Sequence, residues 1–326
     1  MIQVSRGARL VTQHPHLMAN YGRLEINIVR GDGCWLYDES GNAYLDLVAG
    51  IAVCALGHAH PRIARAVAEQ AATLVHVSNL VHHEPAGTLA DRLAELSGFD
   101  AVFFCNSGAE ANEAAIKLAR KHAWRRGENQ RNVILAAKGS FHGRTMGALT
   151  ATDNAAYHEG FGPLPLGFEH VAFNDVNALD KAITESTACF LVEPVQGESG
   201  VVPATKEYLE AARRLCDERG ALLIFDEVQT GFGATGKMWA HEHFELPAPP
   251  DVVTWAKKAQ NGVLFVSDPL AVFFLEEKKF NTTWEGDPVG MLRLMAMMDR
   301  LDLAQVRRTG AIARAALERF QARYPE

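Results

Sequence analysis

Short, uninterrupted apolar runs alternate with helix-like stretches through the middle of this chain, and that alternation constrains the fold more than any other feature. Residues 101–105, 133–137, 189–192 and 221–225 are each apolar throughout, the pattern of strands buried on both faces. A helical pattern follows the first run over 108–124, and another over 208–218 precedes the fourth. Strand, helix and strand repeated in this order signal β-α-β units, so the expected fold is α/β with a mostly parallel central sheet flanked by helices. Ile63, Val67, Ala71, Leu74 and Val75 recur at helical spacing over 61–76, and Leu89, Leu93 and Leu96 do so before Gly98, so two helices precede the first buried strand. Past Pro250, residues 252–255, 262–266 and 271–275 read as extended, and 291–301 and 306–324 as helices. Gly31 to Gly33 and Asp38 to Asn42 mark turns between short strands of a smaller N-terminal lobe.

A length of 326 residues suggests two domains, and 48% hydrophobic with 22% charged residues excludes disordered, collagen-like and coiled-coil chains. The 32 Lys and Arg against 39 Asp and Glu leave a net charge of -7 with no basic block, so nucleic acid is not an expected partner. Cys34, Cys54, Cys105, Cys189 and Cys216 are scattered without a C-x-x-C spacing, which argues against a disulfide framework or a structural zinc site. No segment has the apolar length of a signal peptide or a membrane span, and the expectation is a soluble cytoplasmic protein with no membrane partner.

Several segments could carry chemistry. Asn106 to Ala111 lies where a buried strand turns into a helix, with Ser107 and Glu110 at capping-box spacing and Gly108 permitting close approach of an anion. By itself the same segment is also a well-capped helix with no ligand. Asp226 ends an apolar strand at the edge where open α/β folds bind ligands, although a helix cap or loop salt bridge fits that spacing equally. Lys257 and Lys258 close the next extended segment: either could be an imine-forming amine, or both solvated surface lysines. Phe141 to Arg144 offers an aromatic face, an imidazole and a guanidinium, or a surface loop. His58 with His60 and His241 with His243 lack the spacing of a helical zinc pair, and no metal is expected. Neither a G-x-S-x-G elbow, a Walker loop nor a strand-linked G-x-G-x-x-G is present.

Together with 56–61 (Leu-Gly-His-Ala-His-Pro), 106–113, 141–147 (Phe-His-Gly-Arg-Thr-Met-Gly), 192–198 (Val-Glu-Pro-Val-Gln-Gly-Glu) and 225–231, these features resemble the class III pyridoxal-phosphate aminotransferases, the ω-aminotransferase group of fold type I, from about residue 17 onward. Up to His243 the wording is most similar to acetylornithine and ornithine aminotransferases. Residues 256–258 and 280–288 look more like 4-aminobutyrate and lysine ε-aminotransferases.

The resemblance implies pyridoxal 5'-phosphate as cofactor. Lys257 would carry it covalently and move the proton, with Lys258 as the fallback. Asp226 would face the pyridine nitrogen, Gln229 the phenolic oxygen, and Phe141 would stack on the ring with His142 nearby. Ser107, Gly108 and Ala109 would cradle the phosphate, and Thr283 would reach the phosphate of a neighbouring subunit, which implies a homodimer with shared active sites. Arg144 would pair with a substrate carboxylate, and Glu198 matches a glutamate that gates a second arginine in a later R-x-x-P-P-type segment, which this sequence does not contain.

The implied reaction passes an ω-amino group from N-acetylornithine or ornithine to 2-oxoglutarate, as in arginine biosynthesis. The alternatives are a 4-aminobutyrate or lysine ε-aminotransferase, an aminomutase and an inactive homologue. The implied organisation has residues 1–60 in an arm and small lobe, 61–288 in the large cofactor-binding domain, and 289–326 as the helical start of a C-terminal lobe that is truncated by comparison with the family. Two departures stand out: the glycine-rich stretch after the catalytic lysine is reduced to Asn261 and Gly262, and Glu285 stands where acetylornithine-type relatives tend to have glycine.

Overall fold

The computed structural model describes residues 16–18, 20–271 and 279–325. A seven-stranded sheet runs in the order Ala101–Cys105, Gly262–Val266, Val252–Trp255, Leu222–Asp226, Thr187–Val192, Val133–Ala137, Phe168–Val171. Six of these strands are the apolar runs legible in the sequence, whereas Phe168–Val171, with Glu169 and His170, is not among them; the expected helices correspond to Pro61–Thr73, Glu84–Ser97, Gly108–Arg125, Lys206–Arg219, Pro288–Met298 and Leu303–Arg323. The extended stretch expected at 271–275 falls outside the described residues except for Ala271, which closes the helical turn Asp268–Ala271.

Pairing is parallel except at Gly262–Val266, which is antiparallel to both its neighbours. The cause is the connection: residues 256–261 form a short turn, and a parallel return needs a crossover of a dozen residues or more. Because that one strand is reversed, the carboxyl ends of the other six and the amino end of Gly262–Val266 meet along one edge. The functional residues lie along that edge.

Alternation along each strand divides the core between the two faces. Leu223 and Phe225 pack on one face with Phe190, Trp255 and Phe265, under helices supplying Leu89, Leu93, Tyr208 and Leu215. Ile224 faces the other way with Leu191 and Leu264, covered by Ala115, Leu118 and Ala119 of Gly108–Arg125. Each fully buried large apolar side chain contributes about 1.5–3 kcal/mol relative to exposure. Gly98, with φ of 73°, ends Glu84–Ser97 in the left-handed conformation that a residue without Cβ adopts freely.

Before the large sheet, Ile28–Asp32, Trp35–Asp38 and Ala43–Leu45 form an antiparallel three-stranded sheet, as the turn signals imply. After it, Pro288–Met298 packs on Pro61–Thr73 and Glu84–Ser97 through buried Met291, Leu294 and Met295. Leu303–Arg323 buries no residue fully and exposes Ile312, Leu317 and Phe320. No described helix is long and apolar enough to cross a membrane.

Candidate active site

The helix Gly108–Arg125 begins directly beyond the strand Ala101–Cys105. Ser107 caps it, its hydroxyl accepting from the Glu110 amide at 3.2 Å. Glu110 reaches back one residue further than a capping box requires, its Oε2 accepting from the Asn106 amide at 2.7 Å. Helix geometry leaves the Gly108 and Ala109 amides without acceptors inside the helix, so the first turn favours an anion. Gly108 is required there, because a Cβ would stand 2.7 Å from Val228. Gly262 is more tightly confined: a Cβ on it would stand 2.4 Å from both Cys105 Sγ and Ser107 O.

The loop carrying Phe141 to Arg144 lies against this helix start, Gly143 (φ of 140°) having no room for a Cβ, which would meet Ala109 at 2.8 Å. Glu113 holds the loop from below its far end, Oε1 accepting from Thr145 Oγ1 at 2.7 Å and from the Gly147 amide at 2.8 Å. Arg144 is exposed, and its guanidinium lies 3.7 Å from the centre of the Tyr157 ring. Phe141 meets Tyr157 edge-on.

Asp226 is buried at its strand end. Its Oδ2 accepts from Asn112 Nδ2 at 2.7 Å and faces His142 Nδ1 at 2.8 Å, and its Oδ1 accepts from the Val228 amide at 2.9 Å. A carboxylate held by three hydrogen-bond partners is fixed in place and available as an acidic wall for a ligand nitrogen. Glu193, buried in the same wall, accepts from the Phe141 amide at 3.0 Å; burial pushes its carboxyl up to about 7, the His142 charge opposing and the Asp226 charge adding to that shift.

The two adjacent lysines have different surroundings. Lys257 lines the cavity. Lys258 is buried, donates to the Gln229 carbonyl at 2.5 Å, and is held down at about 8 by burial and then by the Lys257 charge. Gln229 in turn lies so close to Gly197 that a Cβ on the glycine would stand 1.5 Å from Gln229 Oε1.

Ser107, Gly108, Ala109, Phe141, His142, Arg144, Asp226, Gln229 and Lys257 thus surround one cavity of about 570 Å³. Glu198 and Thr283 do not line it; both are exposed, Glu198 at the turn that follows Val195–Gln196. Sequence reasoning missed Asn112, Glu193 and Thr254. Asn112 is a lone polar residue among the buried alanines of its helix, and that was the available signal. Of the histidines weighed as metal ligands, His58 pairs with Asp46 at 2.7 Å and His241 with Glu227 at 2.7 Å.

The donor set fits pyridoxal phosphate on three grounds. A helix start whose first amides have no acceptor within the helix suits the phosphate, a buried carboxylate suits the ring nitrogen, and among the described residues His142 Nε2 is buried without a partner in the wall of the cavity.

The class III aminotransferase family model matches residues 17–326. The chain is 46% identical over 317 residues to the acetylornithine aminotransferase of Gloeobacter violaceus, covering 95% of this chain and 78% of that protein. It is 44% identical over 290 residues to the acetylornithine aminotransferase of Methanocaldococcus jannaschii, covering 86% and 71% respectively. Among solved structures, the ornithine aminotransferase of Toxoplasma gondii ME49 aligns with a TM-score of 0.87 at 31% identity, covering 93% of this chain and 74% of that one. The taurine:2-oxoglutarate aminotransferase of Bifidobacterium kashiwanohense, solved with PLP and glutamate, aligns with a TM-score of 0.87 at 27% identity, covering 94% and 76%. The mostly parallel sheet flanked by helices therefore has its counterpart in known structures, and the chain belongs to the class III aminotransferases, pyridoxal-phosphate-dependent enzymes of fold type I.

Proposed function

We propose that this enzyme moves an ω-amino group from N-acetylornithine or ornithine to 2-oxoglutarate, with pyridoxal phosphate held in the cavity between Lys257 and Asp226. The observation that carries the reading is that juxtaposition beside the start of Gly108–Arg125. The names of the relatives at 46% and 44% identity support the substrate.

When bound, the cofactor supplies an aldehyde that takes the amino group and a ring that accepts the electron pair left by C–H cleavage. Ser107, Gly108 and Ala109 hold the phosphate through a hydroxyl and amide donors. Asp226 keeps a proton on the ring nitrogen, and Asn112 and His142 fix the carboxylate that does so. The Lys257 amine would take the proton from the substrate carbon and deliver it to the carbon on the other side of the nitrogen, general-base help typically worth about 10²–10⁴-fold. Arg144, stacked on Tyr157 at the cavity wall, offers its guanidinium to a substrate carboxylate. Gln229 contacts the ring's phenolic oxygen.

The enzyme works as a homodimer in the cytoplasm, Thr283 and Glu198 acting at the subunit boundary and the cavity mouth. Exposed Leu47, Val48, Ile51, Val75, Leu80 and Trp284 support a covered face of that kind.

The test is the absorbance of purified protein given pyridoxal phosphate, then N-acetylornithine, ornithine, 4-aminobutyrate and lysine in separate samples. A cofactor band that bleaches with N-acetylornithine or ornithine and returns with 2-oxoglutarate is the expected result. Bleaching only with 4-aminobutyrate or lysine moves the donor to the class that residues 256–258 and 280–288 resemble. Turnover of glutamate semialdehyde without 2-oxoglutarate identifies an aminomutase, and a folded dimer with no response to any amine is an inactive homologue.

A further inference from the structure

The turn that carries Lys257 does not return to the sheet through glycines. It passes through Gln260, whose φ of 54° lies in the left-handed region, and then Asn261 before Gly262 opens the next strand. That conformation is disfavoured for a residue with a Cβ; within the turn the Gln260 amide donates to the Ala256 carbonyl at 2.9 Å and the Lys257 carbonyl at 3.1 Å, and a group outside the turn can add to that hold.

One side chain from a distant helix does so. Arg293, on Pro288–Met298, donates through Nη2 to the Gln260 carbonyl at 2.6 Å and to Asn261 Oδ1 at 3.4 Å. The start of the same helix closes on Asn261: a Cβ on Gly290 would stand 2.6 Å from Asn261 Oδ1. Among the described residues Arg293 Nε is buried without a partner, and burial holds the guanidinium below its usual range, with Asp287 opposing. Arg293 lines both a cavity of about 180 Å³ beside Cys54 and one of about 260 Å³ beside Cys105. A partly desolvated cation in that position is compensated by the carbonyl it binds.

We propose that Arg293 is a positioning residue for Lys257, clamping the Gln260–Asn261 end of its turn so that the lysine amine stays directed into the cofactor cavity. The proposal rests on the reading of Lys257 as the cofactor-bearing amine. Without the clamp, Gln260 relaxes toward ordinary φ values and carries the three-residue turn Lys257–Ala259 with it. A glycine at 260 adopts the native φ unaided, which makes the effect of losing Arg293 reversible by a second substitution.

The experiment uses full-length protein stripped of cofactor: wild type, Arg293→Met, Arg293→Lys, Gln260→Gly and the double variant Arg293→Met with Gln260→Gly. Pyridoxal phosphate is added, the rate of covalent attachment is followed by absorbance, and the bond is trapped with borohydride and located by peptide mass. Thermal unfolding of each apo protein is recorded alongside. The expected result is at least a tenfold slower attachment at Lys257 in Arg293→Met, a smaller loss in Arg293→Lys, and recovery to within about threefold of wild type in the double variant, with Gln260→Gly alone near wild type. Wild-type attachment in Arg293→Met, or failure of Gln260→Gly to restore it, overturns the proposal. If Arg293→Met does not fold, Arg293→Lys with and without Gln260→Gly is judged by the same two criteria. Trapping of the wild-type cofactor on a lysine other than Lys257 overturns instead the reading on which the proposal rests.

Discussion

Asn112 bridges two strands through Asp226: its Nδ2 lies 2.7 Å from the Asp226 carboxylate, and its Oδ1 accepts from Thr254 Oγ1 at 2.7 Å. The same Nδ2 donates to the His142 carbonyl at 2.7 Å, so one amide joins the start of the long helix, two strand ends and the aromatic loop. All four groups are buried. Replacing Asn112 with Leu leaves several of them unpaired, a cost of about 1–3 kcal/mol for each buried group that finds no new partner. Denaturant unfolding should show that loss, and cofactor retention after gel filtration should fall with it, since Asp226 loses one of its three partners and keeps only His142 and the Val228 amide.

Lys257→Ala and Lys258→Met should behave differently. Borohydride trapping should find no cofactor on the first variant and the wild-type amount, on Lys257, in the second. Lys258 also carries a pH signature. Its folded value of about 8 lies below the ordinary 10.5, so between those values the unfolded chain binds more protons than the folded one. Stability conferred by this group therefore rises as pH increases from about 8 to 10.5, and the gap in unfolding free energy between wild type and Lys258→Met should shift in favour of wild type across that window.

Glu193 gives the opposite sign. Burial raises its carboxyl from 4.5 to about 7, so between those values the folded protein binds more protons than the unfolded chain. The Glu193 contribution to stability should fall as pH rises from about 4.5 to 7 and then level off. Glu193→Gln keeps an acceptor for the Phe141 amide but has no proton to lose, so relative to wild type it should gain stability over that range. Unfolding midpoints at pH 5 and pH 8 check this: an equal difference at both would refute a raised Glu193.

Gly262→Ala should be severe although it adds one methyl group. Its Cβ would stand 2.4 Å from Cys105 Sγ and from Ser107 O, so either the strand or the helix start must move. Overpacking of this kind costs about 1–3 kcal/mol, and here it displaces the phosphate cradle as well. The measurement is cofactor affinity by fluorescence titration. Affinity within twofold of wild type would mean that the helix start is more accommodating than its packing implies.

Much of the architecture was legible in the chain. The runs at 101–105, 133–137, 252–255 and 262–266 coincide with strands because a strand buried on both faces is apolar at nearly every position, and that leaves a local mark. The direction of Gly262–Val266 left none, since it follows from the length of the connection and not from the residues in the strand. The chemistry divides in the same way. Ser107, Phe141, Asp226 and Lys257 could be singled out because each ends or follows a recognisable element. Glu193 and Thr254 could not, and Asn112 showed only as a lone polar residue among alanines, because a buried polar group has meaning only with its partners, and Asn112 and Asp226 stand 114 positions apart.

The sequence by itself therefore determined which segments are buried, where the helix that faces an anion begins, and the family to which the chain belongs. Only the tertiary structure decided which of two neighbouring lysines enters the cavity and which is tied to Gln229, what holds Asp226, and that an arginine from the helix Pro288–Met298 braces the lysine turn. The physical reason is that periodicity and capping act over a few residues, whereas desolvation and hydrogen-bond satisfaction depend on which groups the closed sheet brings within 3 Å.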